Sequence, residues 1–171
     1  MEIDPEFLEV FLEEAREELD NIRKQSAIWQ RNLADRQAAA SIRRAFHTLK
    51  GSGRVVGASE LGDFAWEFES LFNHILNGTL PPSSAVAGLI GEVADVLQPL
   101  IDKAPLTAEI QSTMAALIAR AQAFIQDAEE DISLTLAEAL ETAEPIKPVK
   151  AAEPSKPVET IEPITPVEAI K

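Results

Sequence analysis

The stretch from Arg44 to Gly53 contains, at helical spacing, the residue types that a phosphoryl-carrying site uses. His47 and Lys50 stand three residues apart, so on a helix both side chains project from the same side. An imidazole nitrogen can attack phosphorus as a nucleophile, and an ammonium group offers positive charge to phosphoryl oxygens. Gly51, beside the lysine, keeps the surface low enough for another protein to reach the histidine. The spacing therefore predicts a phosphoryl group carried on the imidazole of His47.

The charge around His47 differs from the charge of the chain as a whole. The formal net charge is −14, which argues against a nucleic-acid partner. Residues 1–128 contain 11 Lys and Arg and 19 Asp and Glu (net −8), and residues 129–171 contain 4 and 10 (net −6). Four cations nevertheless cluster near the histidine: Arg43, Arg44, Lys50 and Arg54. We expect Arg43 and Arg54 to contribute to partner binding there.

A carboxylate partner for the histidine is predicted on the next helical segment. A turn of about 100° per residue puts Glu69 and Trp66 on a flank of that segment. They lie beside an apolar face made up of Leu61, Phe64, Phe68, Phe72 and Ile75. If the two segments pack antiparallel about 8–10 Å apart, Glu69 can accept a hydrogen bond from Nδ1–H of His47. This bond would fix the tautomer and leave the Nε2 lone pair free. The alternative is that Glu69 is simply an exposed acid.

Five helical segments are expected to position these residues. The composition favours helices, since apolar residues make up 46% of the chain and aromatic residues only 5%. The segments open at the Asp4 N-cap, near Arg36, after Ser59, after the Pro81–Ser84 break and near Thr107. Each has one apolar face, which on the first segment includes Phe7, and short connections favour antiparallel neighbours. We therefore predict an all-α, up-and-down four-helix bundle with one additional helix, for which the first segment is our candidate.

The C-terminal part of the chain is predicted to be separate from the bundle. Residues 1–128 would form the helical domain and residues 129–171 an acidic, proline-rich linker or tail, with a short helix possible at 132–142. After residue 143 the motif Glu-Pro-x-x-Pro-Val occurs three times with a period of nine and contains six of the eleven prolines. Such a segment cannot continue a helix and favours a semi-rigid spacer within a longer, multidomain protein. The alternative is an ordinary disordered tail.

The sequence also indicates what the domain lacks. No cysteine is present, which excludes disulfides and thiolate metal sites and favours a cytoplasmic protein. The acidic N-terminus has no long apolar run and the chain has no stretch of about 18 apolar residues, so we expect neither a signal peptide nor a spanning helix. His47 and His74 are too few and too separated for a metal site. Because the chain has no glycine-rich nucleotide motif, we expect it to bind no cofactor and no nucleotide unaided.

The same residues resemble a known family. The resemblance is carried by two motifs and by the opening of the chain: His47-x-x-Lys50-Gly51-Ser52, Trp66-x-x-Glu69 and residues 3–15. They are similar to the signature of histidine phosphotransfer (Hpt) domains, in particular those of chemotaxis-type, CheA-like histidine kinases. The likeness covers residues 3–125. Residues 46–58 resemble the Hpt modules of the large chemotaxis-like kinases that control type IV pili and twitching motility.

This resemblance implies roles for four residues and two partners. His47 would be the phosphorylated residue, Lys50 the neutraliser of phosphate charge, Gly51 the clearance position and Glu69 the Nδ1 partner. The partners would be a kinase catalytic domain that holds ATP and Mg²⁺, and a response-regulator receiver whose Asp accepts the phosphoryl group, with this domain monomeric. Many chemotaxis-type domains have a second histidine where this chain has Trp66, which we interpret as a partner anchor.

Other functions stay open on the sequence alone. The chain could be a non-catalytic helical docking domain that holds a receiver or scaffold partner on the same face. It could also be a generic dimerising bundle in which His47 is a solvent-facing histidine of an amphipathic helix. Because the chain has no ATP site of its own, we predict a phosphocarrier that forms part of a histidine kinase rather than a complete enzyme.

Overall fold

Five α-helices make up the residues that the computed structural model describes, 5–102 and 105–143. They are α1 Pro5–Arg31, α2 Arg36–Val55, α3 Ser59–Asn77, α4 Ser84–Ile101 and α5 Ala108–Thr142. Within those residues there is no strand, which confirms the prediction of an all-α fold. The connections are short, so successive helices of the bundle run antiparallel.

The helices form a bundle in which α5 is the additional member. α1 packs against α2 and α4, α2 packs against α3, and α3 closes the ring by packing against α4. α5 lies outside this ring and contacts α3 and α4. The prediction that the first helix is the additional one is therefore wrong. The reason is the wide apolar face of α4, on which eight residues are buried and which needs cover from more than one side.

α4 is also the one helix in the described ranges that is long and apolar enough to cross a membrane by length and composition. The sequence, with no stretch of about 18 apolar residues, predicts no such helix, so α4 departs from that expectation. The apolar residues of α4 face the core of the bundle: Val86, Ala87, Leu89, Ile90, Val93, Ala94, Leu97 and Ile101. A core helix passes the same test as a spanning helix, and burial between α1, α3 and α5 accounts for this composition.

An aromatic core joins α1, α2 and α3. Its fully buried side chains are Trp29, Phe46, Phe64, Phe68 and Phe72. The ring centroids lie 5.3 Å apart for Trp29 and Phe72, and 5.7 Å apart for Phe46 and Phe68. Burying each large apolar side chain contributes about 1.5–3 kcal/mol, so this cluster determines how α2 lies on α3.

One residue expected in this core lies outside it. Phe7 was placed on the buried face of α1, but its side chain is 52% exposed. The buried positions of α1 begin one turn later, at Phe11. The helical period places Phe7 correctly on that face, but an open space separates it from the C-terminal half of α2 and leaves it half exposed.

Capping residues set where α2 begins and where both α2 and α3 end, while α3 begins at Ser59 after Ala58, which makes no side-chain cap bond. The Asp35 side chain accepts hydrogen bonds from two backbone N–H groups in the first turn of α2, a contribution of about 1 kcal/mol. Gly57 follows α2 with φ 72°, and Gly78 ends α3 with φ 79°. Both lie in the left-handed region, which glycine adopts without Cβ strain. Asn77 is therefore the last residue of α3, and Gly78 is its C-cap.

α5 continues without a break through the region where the sequence suggests a tail. Its 35 residues include 132–142, which form the last turns of α5 and not a separate short helix. Its buried residues are Met114, Leu117, Ala121 and Ala128. The three proline-containing repeats lie outside the described residues, so the prediction of a spacer stays a prediction.

Candidate functional site

Two glycines let α2 and α3 approach closely next to the site. A Cβ on Gly53 would lie 3.2 Å from the Ala58 carbonyl oxygen and 3.2 Å from the Gly62 nitrogen. A Cβ on Gly62 would lie 2.9 Å from Cγ of Arg54 and 3.1 Å from the Lys50 carbonyl oxygen. A packed interior has little free space to accept such an addition. Close packing therefore explains the glycine at position 53 and also the one at position 62, which was not among the residues that the sequence singled out.

His47 and Glu69 meet across this helix pair. Nδ1 of His47 lies 2.8 Å from Oε1 of Glu69, so the contact expected from the helical projection is present. A carboxylate oxygen can only accept a hydrogen bond, so Nδ1 carries the proton and donates. In the neutral ring the lone pair is then on Nε2, at the opposite edge. The His47 side chain is 60% exposed and the Glu69 side chain 8% exposed, so solvent reaches the ring while its partner is held inside.

Two cations act on the Glu69 carboxylate. Lys50 Nζ lies 2.6 Å from Oε2, a close ion pair. Arg43 Nη1 lies 3.9 Å from Oε1. Burial raises the pKa of Glu69, but Lys50 and His47 together lower it by more, so the net shift of its pKa is downward. Glu69 is therefore a buried carboxylate at neutral pH and not the exposed acid of the alternative interpretation.

The surface around His47 is open at Gly51. A Cβ at this position would meet no atom within 4 Å outside its own helix backbone and its chain neighbours. Alanine would stabilise the helix by about 1 kcal/mol relative to glycine. No packing contact among the described residues explains the glycine, and clearance for a partner stays the prediction for this position.

The other two predicted partner-binding residues lie away from the imidazole. Arg54 Nη2 is 2.9 Å from Oδ1 of Asp63, an exposed ion pair between α2 and α3. Trp66 is 49% exposed. It lines a groove of about 620 Å³ between α3 and α5, with Met114 and Ile118 on the other side. The structure thus brings Arg43 into the cluster around Glu69 and directs Arg54 and Trp66 toward neighbouring surface.

Beside His47 the structure forms an apolar groove that the sequence analysis missed. It encloses about 360 Å³ between the N-terminal turns of α1 and the C-terminal half of α2. Three large apolar side chains there are more than half exposed: Phe7, Val10 and Val55. The Ser52 hydroxyl donates to Oε2 of Glu14 at 3.1 Å and ties the two helices together at the groove. The signal in the sequence was that Val10 and Val55 are apolar but stand off the apolar stripes.

Comparison with protein families agrees with this arrangement. The family model described as Hpt domain matches residues 6–124, which is 119 of the 171 residues. The match begins in the first turn of α1 and ends within α5. It therefore includes every residue of the cluster around His47.

Curated relatives include three proteins named chemotaxis protein CheA. The chain is 26% identical to the Bacillus subtilis protein over 144 residues, which cover 82% of this chain and 20% of the relative. It is 25% identical to the Treponema pallidum protein over 120 residues, covering 70% and 15%. It is 23% identical to the Halobacterium salinarum protein over 126 residues, covering 74% and 19%. The chain thus spans at most a fifth of the length of these relatives.

Proposed function

This chain belongs to the histidine phosphotransfer (Hpt) domain family, and from that membership we propose that Nε2 of His47 carries a phosphoryl group in chemosensory signalling. One observation supports this assignment most. An imidazole that is 60% exposed is held at 2.8 Å by a carboxylate that is 8% exposed. That arrangement orients the ring and directs its lone pair outward, as a nucleophile that must meet another protein requires.

The proposed reaction consists of two transfers. In the first, the Nε2 lone pair attacks the γ-phosphorus of ATP held by a kinase domain, the bond from phosphorus to the ADP oxygen breaks, and ADP leaves. In the second, an Asp carboxylate of a receiver domain attacks the same phosphorus, the N–P bond breaks, and its electron pair returns to Nε2. The Nδ1 proton stays on the ring throughout, held by Glu69. Positioning and charge stabilisation are the main contributions that such a transfer needs from the protein.

Glu69 and Lys50 have separate tasks in this proposal. The carboxylate orients the imidazole and offsets the positive charge that the ring gains when Nε2 is phosphorylated. The Lys50 side chain is 21% exposed and its ammonium, on a long flexible stem, pairs with Glu69. Its flexible ammonium can therefore turn to the phosphoryl oxygens and neutralise their charge. Gly51 leaves the approach to Nε2 clear.

We propose two protein partners, a histidine kinase catalytic domain with its ATP and Mg²⁺ and a response-regulator receiver domain. The apolar groove beside His47 supports this, because a docking protein needs contact area around the atom that it reaches. Arg43, Arg54 and Trp66 are proposed as further contacts. The domain would act in the cytoplasm as a monomeric unit of a longer CheA-like kinase. The likeness of residues 46–58 supports an output in type IV pilus motility.

The test is labelling by an active kinase. When the chain is incubated with ATP and a CheA-type catalytic domain, we expect a mass increase of one phosphoryl group that is lost in acid and stable in base. His47→Gln should abolish the label. His74→Gln changes the other histidine of the chain and should leave the label intact. Acid-labile phosphate on the His47→Gln variant would show that the site assignment is wrong.

A docking domain without phosphoryl transfer is the second candidate, and the apolar groove favours it as well. In that case a receiver domain would bind the wild-type chain, and the kinase would label neither the wild-type chain nor His47→Gln. Val10→Asp, which places a charge in the groove, would weaken binding under both functions. Labelling of the wild-type chain is therefore the measurement that separates the two candidates.

A further inference from the structure

The last turns of α5 present an apolar face beyond the end of the bundle. We call residues 129–142 the overhang. Before it, the buried positions of α5 are Met114, Leu117, Ala121 and Ala128. The same face continues into the overhang as Ile132, Leu136 and Ala139, at three- and four-residue steps. Ile132 and Leu136 are 49% and 60% exposed. The apolar face by which α5 packs on the bundle therefore continues beyond the residues that cover it.

This face borders a notch between the overhang and the connection from α3 to α4. The notch encloses about 460 Å³. The connection contributes Gly78, Thr79 and Pro81, and the overhang contributes Ile132, Leu136 and Ala139. Ala128, Asp131 and Thr135 complete the lining, and Asp131 is its one charged residue. The notch is therefore mostly apolar with an acid at its edge, and it runs parallel to a helix, a shape that fits the apolar face of a second, amphipathic helix.

The charges on the overhang wall of the notch have one sign. Residues 127–142 contain six acids and residues 121–142 contain no Lys, Arg or His. The last turn of α5 has no basic residue. Glu138 and Glu141 lie at the C-terminal, negative end of the helix dipole, where cations are preferred. Since helices depend mainly on tertiary packing for their stability, the exposed end of α5 would gain from a partner. Positive charge brought by a partner would complement this end of α5.

We propose that the overhang docks a cationic amphipathic helix from a partner protein or domain. Its apolar side chains would enter the notch, and its Lys and Arg side chains would lie beside Asp131 and Glu138. This inference goes beyond phosphoryl transfer at His47 and does not depend on it.

Charge argues against the other occupants. A second copy of this chain would bring six acids against six. Residues 144–171 carry 4 Lys and 5 Glu, so they offer no excess of positive charge. An anionic membrane surface would repel the overhang. A basic helix is the occupant that both the apolar notch and its acidic border favour.

The test is a titration of the full-length, ¹⁵N-labelled chain with a synthetic amphipathic helix of Leu and Lys. The same peptide with Glu in place of Lys is the charge control. We expect saturable chemical-shift changes at the notch residues with the Lys peptide and none with the Glu peptide. Leu136→Asp should weaken binding about tenfold, as loss of a central apolar anchor does.

Leu134→Asp is the matched control. Leu134 is 64% exposed against 60% for Leu136, but it lies on the opposite face of α5. Leu134→Asp adds the same charge as Leu136→Asp but leaves the notch unchanged, so we expect its affinity for the Lys peptide to stay within about twofold of wild type. Both variants should keep the amide spectrum of the bundle and the rate of labelling at His47.

Four outcomes would overturn the proposal. Equal loss of binding in Leu136→Asp and Leu134→Asp would mean that the peptide is attracted by charge alone and does not enter the notch. Absence of binding to the wild-type chain would mean that the overhang does not dock such a helix. Self-association in analytical ultracentrifugation that Leu136→Asp abolishes would assign the face to a second copy. The chain has no cysteine, so a spin label on Val158→Cys is specific. Broadening of the Leu136 amide by that label would assign the face to the chain's own C-terminal residues.

Discussion

The pair of helices α2 and α3 and the single helix α5 use their surfaces in opposite ways. Between α2 and α3, Gly53 and Gly62 bring the backbones together, and charged side chains meet on one buried carboxylate. Along α5, the first half is packed and the last turns carry apolar side chains into solvent. Reactive side chains are therefore positioned where two closely packed helices fix each other's placement. Surface for recognition is found where a helix runs past its neighbours.

The largest expected effect comes from breaking the cluster at Glu69. Glu69→Ala removes the acceptor of the Nδ1 hydrogen bond, so the ring loses its orientation and the phosphorylated imidazole loses its counter-charge. We expect the rate of phosphoryl transfer to fall about 100-fold, the loss that misplacement of a reacting group produces. The measurement is single-turnover labelling with the kinase domain in excess.

Glu67→Ala is the control for this variant. Glu67 lies on the same helix but accepts a hydrogen bond from Gln122 of α5, so it belongs to the other side of the comparison. Its loss should change the labelling rate less than about twofold, since exposed polar contacts contribute little. Equal losses in the two variants would contradict the role given to Glu69.

The next effect concerns the close approach of the two helices. Gly62→Ala places a Cβ 2.9 Å from Cγ of Arg54, and overpacking of this kind costs about 1–3 kcal/mol of unfolding free energy. Gly51→Ala meets no atom within 4 Å and should stabilise the chain by up to about 1 kcal/mol through helix propensity. Urea unfolding monitored by circular dichroism measures both changes. If the two variants shift in the same direction, the close approach is not what requires glycine at position 62.

A smaller effect is expected in the pH dependence of stability. The folded state lowers the pKa of Glu69 below the ordinary carboxyl value of 4.5. The resulting stability is present above that value and is lost as the pH falls through the lowered pKa. Wild type should therefore lose more unfolding free energy on acidification from about pH 6 to about pH 3 than Glu69→Gln loses. Parallel acid profiles for the two proteins would contradict this.

Glu92 provides the comparison from the α5 side. A hydrogen bond from Arg120 lowers its pKa, but the pair is exposed to solvent. Solvent and salt screen such a pair, so Glu92→Gln should flatten the acid profile less than Glu69→Gln does.

The smallest effects are expected from the exposed ion pairs. Arg54→Gln breaks the contact with Asp63, and Arg120→Gln breaks the contact with Glu92. Each should cost at most about 1 kcal/mol of unfolding free energy, because surface pairs contribute little. If Arg54 binds a partner, Arg54→Gln will lower the affinity for the receiver or kinase domain while Arg120→Gln will not. Equal affinities would remove Arg54 from the proposed contacts.

Periodicity predicted the parts of the fold and site that depend on one helix at a time. Ile42, Phe46 and Leu49 are buried as the apolar stripe of α2 indicates. The contact between His47 and Glu69 followed from two such projections and one assumption, that α2 and α3 pack side by side. Since consecutive helices joined by a short connection usually do so, that assumption was safe.

The features that the sequence did not predict share a cause: each depends on the packing of several helices at once. The residues around Gly62 in the sequence do not show whether close helix packing requires this glycine or the helix merely tolerates it. Phe7 lies on the correct face of α1 but borders the open groove between α1 and α2. The choice of α5 as the additional helix was set by which neighbours cover α4, and no single segment contains that information.

By itself the sequence determined five amphipathic helices, the side of α2 on which His47 stands and the types of residue around it. The spacing of apolar residues, the capping residues and the local charge are all properties of residues close together in the sequence. They can therefore be predicted one segment at a time. Only the tertiary structure decided that Glu69 is buried, that Lys50 and Arg43 converge on it, and that the end of α5 extends past the bundle. Burial and convergence depend on what other helices place against a side chain, and packing alone settles that.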